Sequence, residues 1–187
     1  MIRVATPDDA AEIRRIYAPA VNQGVTSFET VAPEVADLRE RISATLQHYP
    51  WLVDQGDEGL RGFAYATSHR ARAAYRWSVE VSVYVDAGRL RQGCGRQLYG
   101  KLFAILVSQG FYSAYAGIAV PNTASQAFHD SLGFKRIGVF PRVGFKHGAW
   151  RDVGWWYMQL LGDDLVADPT DPIPFASWRS TASNEFS

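Results

Sequence analysis

The chain is poor in cysteine, in net charge and in long apolar runs. Cys94 is the single cysteine among 187 residues, which excludes an internal disulfide or a multi-cysteine metal site. Lys and Arg number 19 and Asp and Glu 19, a formal net charge of zero. That balance removes the global basic field of a dedicated nucleic-acid binder but leaves room for a local cationic pocket. No stretch approaches the roughly 18 successive apolar residues of a membrane span, and the opening MIRVATPDDA lacks the cationic and apolar regions of a secretory leader. The expectation is a soluble protein of a reducing, cytoplasmic setting, with neither nucleic acid nor membrane as partner. The four histidines show no ligand spacing, so no metal is expected. What the chain does have is 47% apolar and 13% aromatic residues, too many for a disordered state and enough for one domain with a sizeable core.

Local patterns predict an α/β order. Met1–Ala5 reads as a strand, and Thr6-Pro7-Asp8-Asp9 supplies a cap, a first-turn proline and first-turn acids. Ile13, Ile16, Tyr17 and Ala20 then recur at helical spacing until Asn22-Gln23-Gly24. A second helix runs from Pro33 to about Gln47, followed by a hairpin of Trp51–Val53 and Leu60–Ala66. The pattern of His69–Arg76 fits neither helix nor strand. Ser78–Val85 alternates and predicts a central strand, Asp86–Gly95 a glycine-containing loop, and Arg96–Gln109 a helix stopped by Gly110. Ser113–Val120, Lys135–Phe140 and Val153–Leu161 predict strands, and Asn122–Leu132 a helix. Residues 162–187 mix Asp163, Asp164, Asp168 and Asp171 with prolines and predict an extended tail, with Phe175 and Trp178 available to pack.

Chemistry concentrates around residues 80–96. Glycines at a helix start let backbone N–H groups approach an anion, and Arg89, Arg91 and Arg96 add charge there, a plausible pyrophosphate cradle. A plain turn is the competing reading. No Gly-Lys-Ser/Thr follows, so this is not a Walker loop, and the third glycine of the dinucleotide fingerprint is missing. Glu80, among Val79, Val81 and Val83, must face a cleft or find a partner. It either pairs with Arg72 or Arg76 on a solvated face or serves as a general base. Cys94 is either a thiol activated by a helix N-terminus or a small residue packed between glycines. His129 is either a satisfied structural histidine or a proton donor near pH 7, and His147, beside Lys146 and Trp150, either a solvated loop residue or part of a substrate pocket. Arg72, Arg76, Arg142 and Lys146 are candidate cations for an acidic substrate.

Leu90-Arg91-Gln92-Gly93-Cys94-Gly95 resembles the coenzyme A-binding loop of the GNAT superfamily, Gln/Arg-x-x-Gly-x-Gly/Ala, with Leu90 departing from its first position. Ala71–Trp77 followed by Glu80, Pro121-Asn122-x-x-Ser125 followed by His129–Phe134, and Val143–Trp150 followed by Asp152–Trp156 are similar, in this order, to segments of the phosphinothricin N-acetyltransferase-like branch. The resemblance implies an α/β GNAT fold, a mixed, mostly antiparallel sheet flanked by helices, over residues 1–161. It implies acetyl transfer from acetyl-CoA, without metal, to the α-amine of a small amino-acid-like acceptor such as phosphinothricin or methionine sulfoximine. Glu80 would act as general base in direct attack. The implied coenzyme contacts are the backbone of Val83, Tyr84 and Val85, then Arg91, Gln92, Gly93, Cys94, Gly95 and Arg96, with Asn122 and Ser131. Phe28, Ala73, Ala74 and Tyr75, joined by His147, would meet the acceptor. A homodimer is implied; Phe145, Trp150, Trp155 and Trp156 are either its candidate face or part of the hydrophobic core. Acetylation of a protein or peptide, and non-catalytic acetyl-CoA sensing, are the alternatives.

Overall fold

The computed structural model describes residues 1–162 and 166–181; Asp163 and Asp164 of the acidic C-terminal segment lie outside the described residues. Thr6 and Asp9 form a capping box around Pro7 and lead into α1 (Ala10–Asn22), which buries Ile13, Ile16, Tyr17 and Val21 along one stripe. Helix α2 (Val35–His48) starts at a second box, Glu34 with Asp37. Strands β1 (Ile2–Val4), β2 (Trp51–Gly56), β3 (Gly59–Ser68), β4 (Ser78–Val85) and β5 (Ser113–Val120) follow the expected pattern. Helix α3 (Cys94–Gln109) begins at Cys94 instead of Arg96, because Gly93 at φ +82° turns the chain into it; α4 is Thr123–Asp130.

The last two strands, β6 (Lys135–Lys146) and β7 (Ala149–Gln159), form a hairpin much longer than Lys135–Phe140 and Val153–Leu161 suggested. Pro141 and a register shift between Phe140 and Gly144 break the sequence pattern, and β6 tolerates both because it is an edge strand.

The seven strands lie in the order β1-β2-β3-β4-β5-β7-β6. Every neighbouring pair is antiparallel except β4–β5. That parallel pair is joined only from Ser78, Val79 and Glu80 to Ser113, Ala114 and Tyr115. Beyond Glu80 the two strands carry no further pairing, and a cleft opens between them. One face of the sheet packs against α1 and α2 through Ile13, Leu38, Trp51 and Phe63. The other packs against α3, where Leu98, Leu102 and Leu106 meet Ala64, Val81 and Ala114.

Phe175 and Trp178 of α5 (Phe175–Thr181) are buried in that second core. The stretch leading to α5 is tied down by Trp77 Nε1–H on the Thr170 carbonyl at 2.8 Å and by Ile173 N–H on the Gln109 carbonyl at 2.8 Å.

Candidate active site

The cleft between β4 and β5 opens into a cavity of about 750 Å³. Val81 to Asp86 form one wall, Ala116 to Ala119 the opposite wall, and the 89–96 loop with the start of α3 its floor. Val83, Tyr84, Val85, Arg91, Gly93, Cys94, Gly95, Arg96 and Asn122 all line it. Gln92 and Ser131 do not: the Gln92 side chain turns back toward the Gly88 carbonyl. The Ser131 hydroxyl is 2.8 Å from the Arg96 guanidinium, which donates to it, so Ser131 reaches the cavity only through that arginine.

The first intrahelical bond of α3 is Gln97 N–H to the Gly93 carbonyl, at 3.0 Å. The N–H groups of Cys94, Gly95 and Arg96 therefore have no helical partner, and the helix dipole adds positive potential where they point. A side chain at Gly95 would bring its Cβ to 3.2 Å from the Phe128 ring, so glycine keeps this helix start open and close to α4. Arg89 is spent on Glu58, 2.6 Å away on the surface, which leaves Arg91 and Arg96 as the cations on the cavity wall nearest the helix start. Asn122 caps α4 by accepting from Ser125 N–H at 3.1 Å while its residue lines the cavity.

Burial, reinforced by the neighbouring Asp54 carboxylate, pushes the Cys94 thiol up to about 12. It is a packed thiol, not a nucleophile at neutral pH. His129 is buried, and burial lowers its pKa. Its Nδ1 sits 2.8 Å from the Ser125 carbonyl, which fixes the proton there and turns Nε2 toward the Tyr99 hydroxyl at 3.4 Å. Neutral His129 and Tyr99 thus form one buried pair on the cavity wall.

Glu80 stands one residue before the cavity wall, 31% exposed at its side chain, on the sheet face turned toward α1 and α2. Its partners are neither Arg72 nor Arg76. Oε1 accepts from Arg70 at 3.0 Å and lies 3.1 Å from His69 Nδ1. Arg76 is drawn away, donating to Asp171 at 2.8 Å and lying over the Trp77 ring. Burial and the adjacent Arg70 cation lower the His69 pKa, so the ring is neutral at pH 7 and donates from Nδ1 to the carboxylate. His69 also stacks on Tyr115, the residue paired with Glu80, at 4.3 Å between ring centres. Sequence reasoning passed over His69 because no ligand spacing surrounds it. Only the β3–β4 register brings it to Glu80.

Tyr75 ends a 3-10 turn, Ala73–Tyr75, with its ring edge-on to His69 at 5.9 Å. Phe28 lies on the bare backbone of Gly144, where a Cβ would overlap its ring. Lys146 does not present a cation to solvent: it is 4% exposed and donates to the Ser27 carbonyl at 2.6 Å. His147, at φ +52°, meets the Gly24 carbonyl at 3.1 Å through Nε2. The tip of the β6–β7 hairpin thus grips the loop after α1 at Gly24, Ser27 and Phe28. The Arg142 backbone N–H donates to Asp152, and Arg70 is the guanidinium that contacts Glu80.

A parallel pair that parts at its centre, with a helix N-terminus and a glycine loop at the opening, defines an acyl-coenzyme-binding transferase fold. Residues 2–155 match the model of the acetyltransferase (GNAT) domain family, and the chain belongs to that family. It is an N-acetyltransferase of the phosphinothricin N-acetyltransferase-like branch. It is 36% identical to the phosphinothricin N-acetyltransferase of Streptomyces viridochromogenes, over 90% of this chain and 90% of that one. It is 32% identical to the L-methionine sulfoximine/L-methionine sulfone acetyltransferase of Salmonella typhimurium, over 85% of this chain and 94% of that one. A solved phosphinothricin acetyltransferase from Sinorhizobium meliloti, in complex with AcCoA, superposes with a TM-score of 0.86 at 32% identity. That match covers 96% of this chain and 98% of the other.

Proposed function

We propose that the enzyme transfers acetyl from acetyl-CoA to the α-amine of a small amino-acid-like acceptor of the phosphinothricin or methionine sulfoximine type, with Glu80 as general base. One observation carries this reading: Glu80 occupies the last paired position before β4 and β5 part, so a carboxylate stands at the mouth of a coenzyme-sized cleft. In this account the pyrophosphate rests on the N–H groups of Cys94, Gly95 and Arg96, with Arg91 and Arg96 as counter-charges and Ser131 holding Arg96. Asn122, on the cavity wall, completes the coenzyme contacts. The pantetheine arm runs beside Val83, Tyr84 and Val85 as an added strand, and their backbone groups polarise the thioester carbonyl.

An α-amine is mostly protonated at pH 7, so Glu80 removes a proton, directly or through water, before nitrogen attacks the carbonyl carbon. The carbon–sulfur bond then breaks, and the departing thiolate takes a proton. Direct attack is supported by the inert Cys94 thiol. Arg70 and Arg72 suit the acceptor carboxylate, while Phe28, Ala73, Ala74 and Tyr75 border its body. His147 acts at one remove, by holding the Gly24 end of the loop that carries Phe28.

We further infer a transferase unit of residues 1–161 followed by a C-terminal segment, 162–187, whose helix α5 packs on it, a cytoplasmic setting, and a homodimer. No helix among the described residues is long and apolar enough to cross a membrane. The dimer face is smaller than the sequence suggested. Phe145 and Trp150, 58% and 62% exposed on the β6–β7 hairpin, remain candidates, whereas Trp156 is 1% exposed in the core. Trp155 faces inward, its ring edge-on to His69.

The test is a thiol-release assay with acetyl-CoA against methionine sulfoximine, phosphinothricin, polyamines and N-terminal peptides. The amino-acid analogues are expected to give kcat/KM at least about tenfold above the other classes, roughly 1.4 kcal/mol of discrimination. Peptides winning that comparison would shift the assignment to protein acetylation. Coenzyme binding with no thiol release from any amine would make the protein a sensor.

A further inference from the structure

The two carboxylate oxygens of Glu80 are held unequally. Oε1 accepts from Arg70 at 3.0 Å and from His69 Nδ1 at 3.1 Å, whereas Oε2 has no hydrogen-bond partner among the described residues. The strand register explains the second contact. Thr67 pairs with Glu80 across β3 and β4, and His69 stands two residues beyond Thr67, so its side chain leaves the same face of the sheet. It reaches the carboxylate on the diagonal between the strands.

The two donors differ in how firmly they are themselves held. The Arg70 side chain is 42% exposed, with one aromatic neighbour, the Trp155 ring, at 5.5 Å. An exposed ion pair of that kind fixes little. The His69 side chain is 13% exposed and enclosed by rings from three separate elements. Tyr115 of β5 stacks on its face at 4.3 Å with the planes 13° apart, while Tyr75 of the 3-10 turn and Trp155 of β7 meet it edge-on, each at 5.9 Å. Tyr115 is also the β5 partner of Glu80 at the last pair before the cleft opens. The imidazole is therefore clamped against the strand facing Glu80, and its Nδ1–H keeps one direction. Burial and the Arg70 cation lower the His69 pKa, so the ring donates as a neutral group and adds no second charge beside the carboxylate.

Resting on the reading of Glu80 as general base, we propose that His69 is a positioning residue for acetyl transfer: by fixing Oε1 it turns Oε2 toward the ammonium group of the acceptor. Oε2 takes the proton, the electron pair of the broken N–H bond stays on nitrogen for attack on the thioester carbonyl, and the proton leaves to solvent from the exposed edge of Glu80. His69 keeps its own proton throughout, and it lies outside the lining of the coenzyme cavity.

A double-mutant cycle in the full chain tests this, with L-methionine sulfoximine as acceptor. His69→Phe keeps a ring for Tyr115 and removes the donor, while His69→Asn places an amide N–H near the former Nδ1. His69→Phe is expected to lower kcat about tenfold, within the roughly hundredfold that a misplacement of about 1 Å costs. The acceptor KM and the acetyl-CoA Kd should stay within about twofold of the wild type. His69→Asn should exceed His69→Phe in kcat by at least about threefold, since it restores the donor. In a Glu80→Gln background, His69→Phe should change kcat by less than about twofold, because the carboxylate through which the ring acts is gone. A packing role would instead move KM and the melting temperature and repeat in that background. Full kcat in His69→Phe beside a slow Glu80→Gln overturns the positioning role and leaves the base standing. So does a tenfold loss that persists in Glu80→Gln, or a His69→Asn variant as slow as His69→Phe. Full rate in Glu80→Gln removes the base, and the positioning role with it.

Discussion

Glu80→Gln is expected to lower acceptor-dependent thiol release by about 10²–10⁴-fold at pH 7, the range a positioned general base contributes. Glutamine keeps the length of the side chain and an oxygen for Arg70 and His69, so the hydrogen bonds at 3.0 and 3.1 Å have a successor. What it loses is the ability to take the proton of the ammonium group. Glu80 stands outside the coenzyme cavity, so the acetyl-CoA Kd is expected to stay within about twofold of the wild type, well under the 1.4 kcal/mol of a tenfold change. Raising the pH supplies more free amine and should narrow the gap between variant and wild type. A variant that keeps full rate at neutral pH with normal coenzyme binding removes Glu80 from the chemistry.

Gly95→Asp should abolish most coenzyme affinity by a different physical route. A carboxylate placed among the unpaired N–H groups of α3 competes for the donors assigned to pyrophosphate and repels the phosphates themselves. Losing one or two charge-assisted hydrogen bonds costs roughly 1.5–3 kcal/mol each. At 1.4 kcal/mol per tenfold, Kd should rise about 100-fold. An acid in a first helical turn is favourable for the helix, and the 3.2 Å approach to Phe128 asks the ring to yield only a few tenths of an ångström. The melting temperature should therefore change little. Gly100→Asp on the same helix is the control: a Cβ there meets nothing within 4 Å, and coenzyme affinity should be unaffected. Equal affinity in Gly95→Asp and the wild type would mean that the phosphates bind elsewhere.

Much of the fold was legible because local chemistry and global structure agree over Ser78–Gln109. Alternation marks β4, glycines mark the turn, and Leu98, Leu102 and Leu106 mark one helical stripe. The same agreement made the coenzyme side of the site readable, since its donors come from consecutive backbone groups. The acceptor side draws on residues far apart in sequence. His69 reaches Glu80 only through the β3–β4 pairing, and Lys146 reaches Ser27 across 119 positions. Neither contact leaves a local pattern, so Lys146 read as a free cation when it is a buried tether. The outer half of the β6–β7 hairpin was hidden by Pro141, which an edge strand accepts. Six aromatic residues, Phe140, Phe145, Trp150, Trp155, Trp156 and Tyr157, crowd these two strands, so the local pattern left Trp156 open between a dimer face and the core. Strand alternation, once the register is known, sends Trp156 into the α3-side core.

The central claim is direct acetyl transfer to an α-amine, and a single-turnover experiment tests it most directly. The enzyme is loaded with radiolabelled acetyl-CoA, freed of excess, and mixed with L-methionine sulfoximine or with the same compound blocked at its α-nitrogen. The account predicts label in the Nα-acetyl product and free thiol at the same rate, with none on the protein and no reaction of the blocked compound. Label trapped on the protein before the acceptor is added, or turnover of the blocked compound, would contradict it.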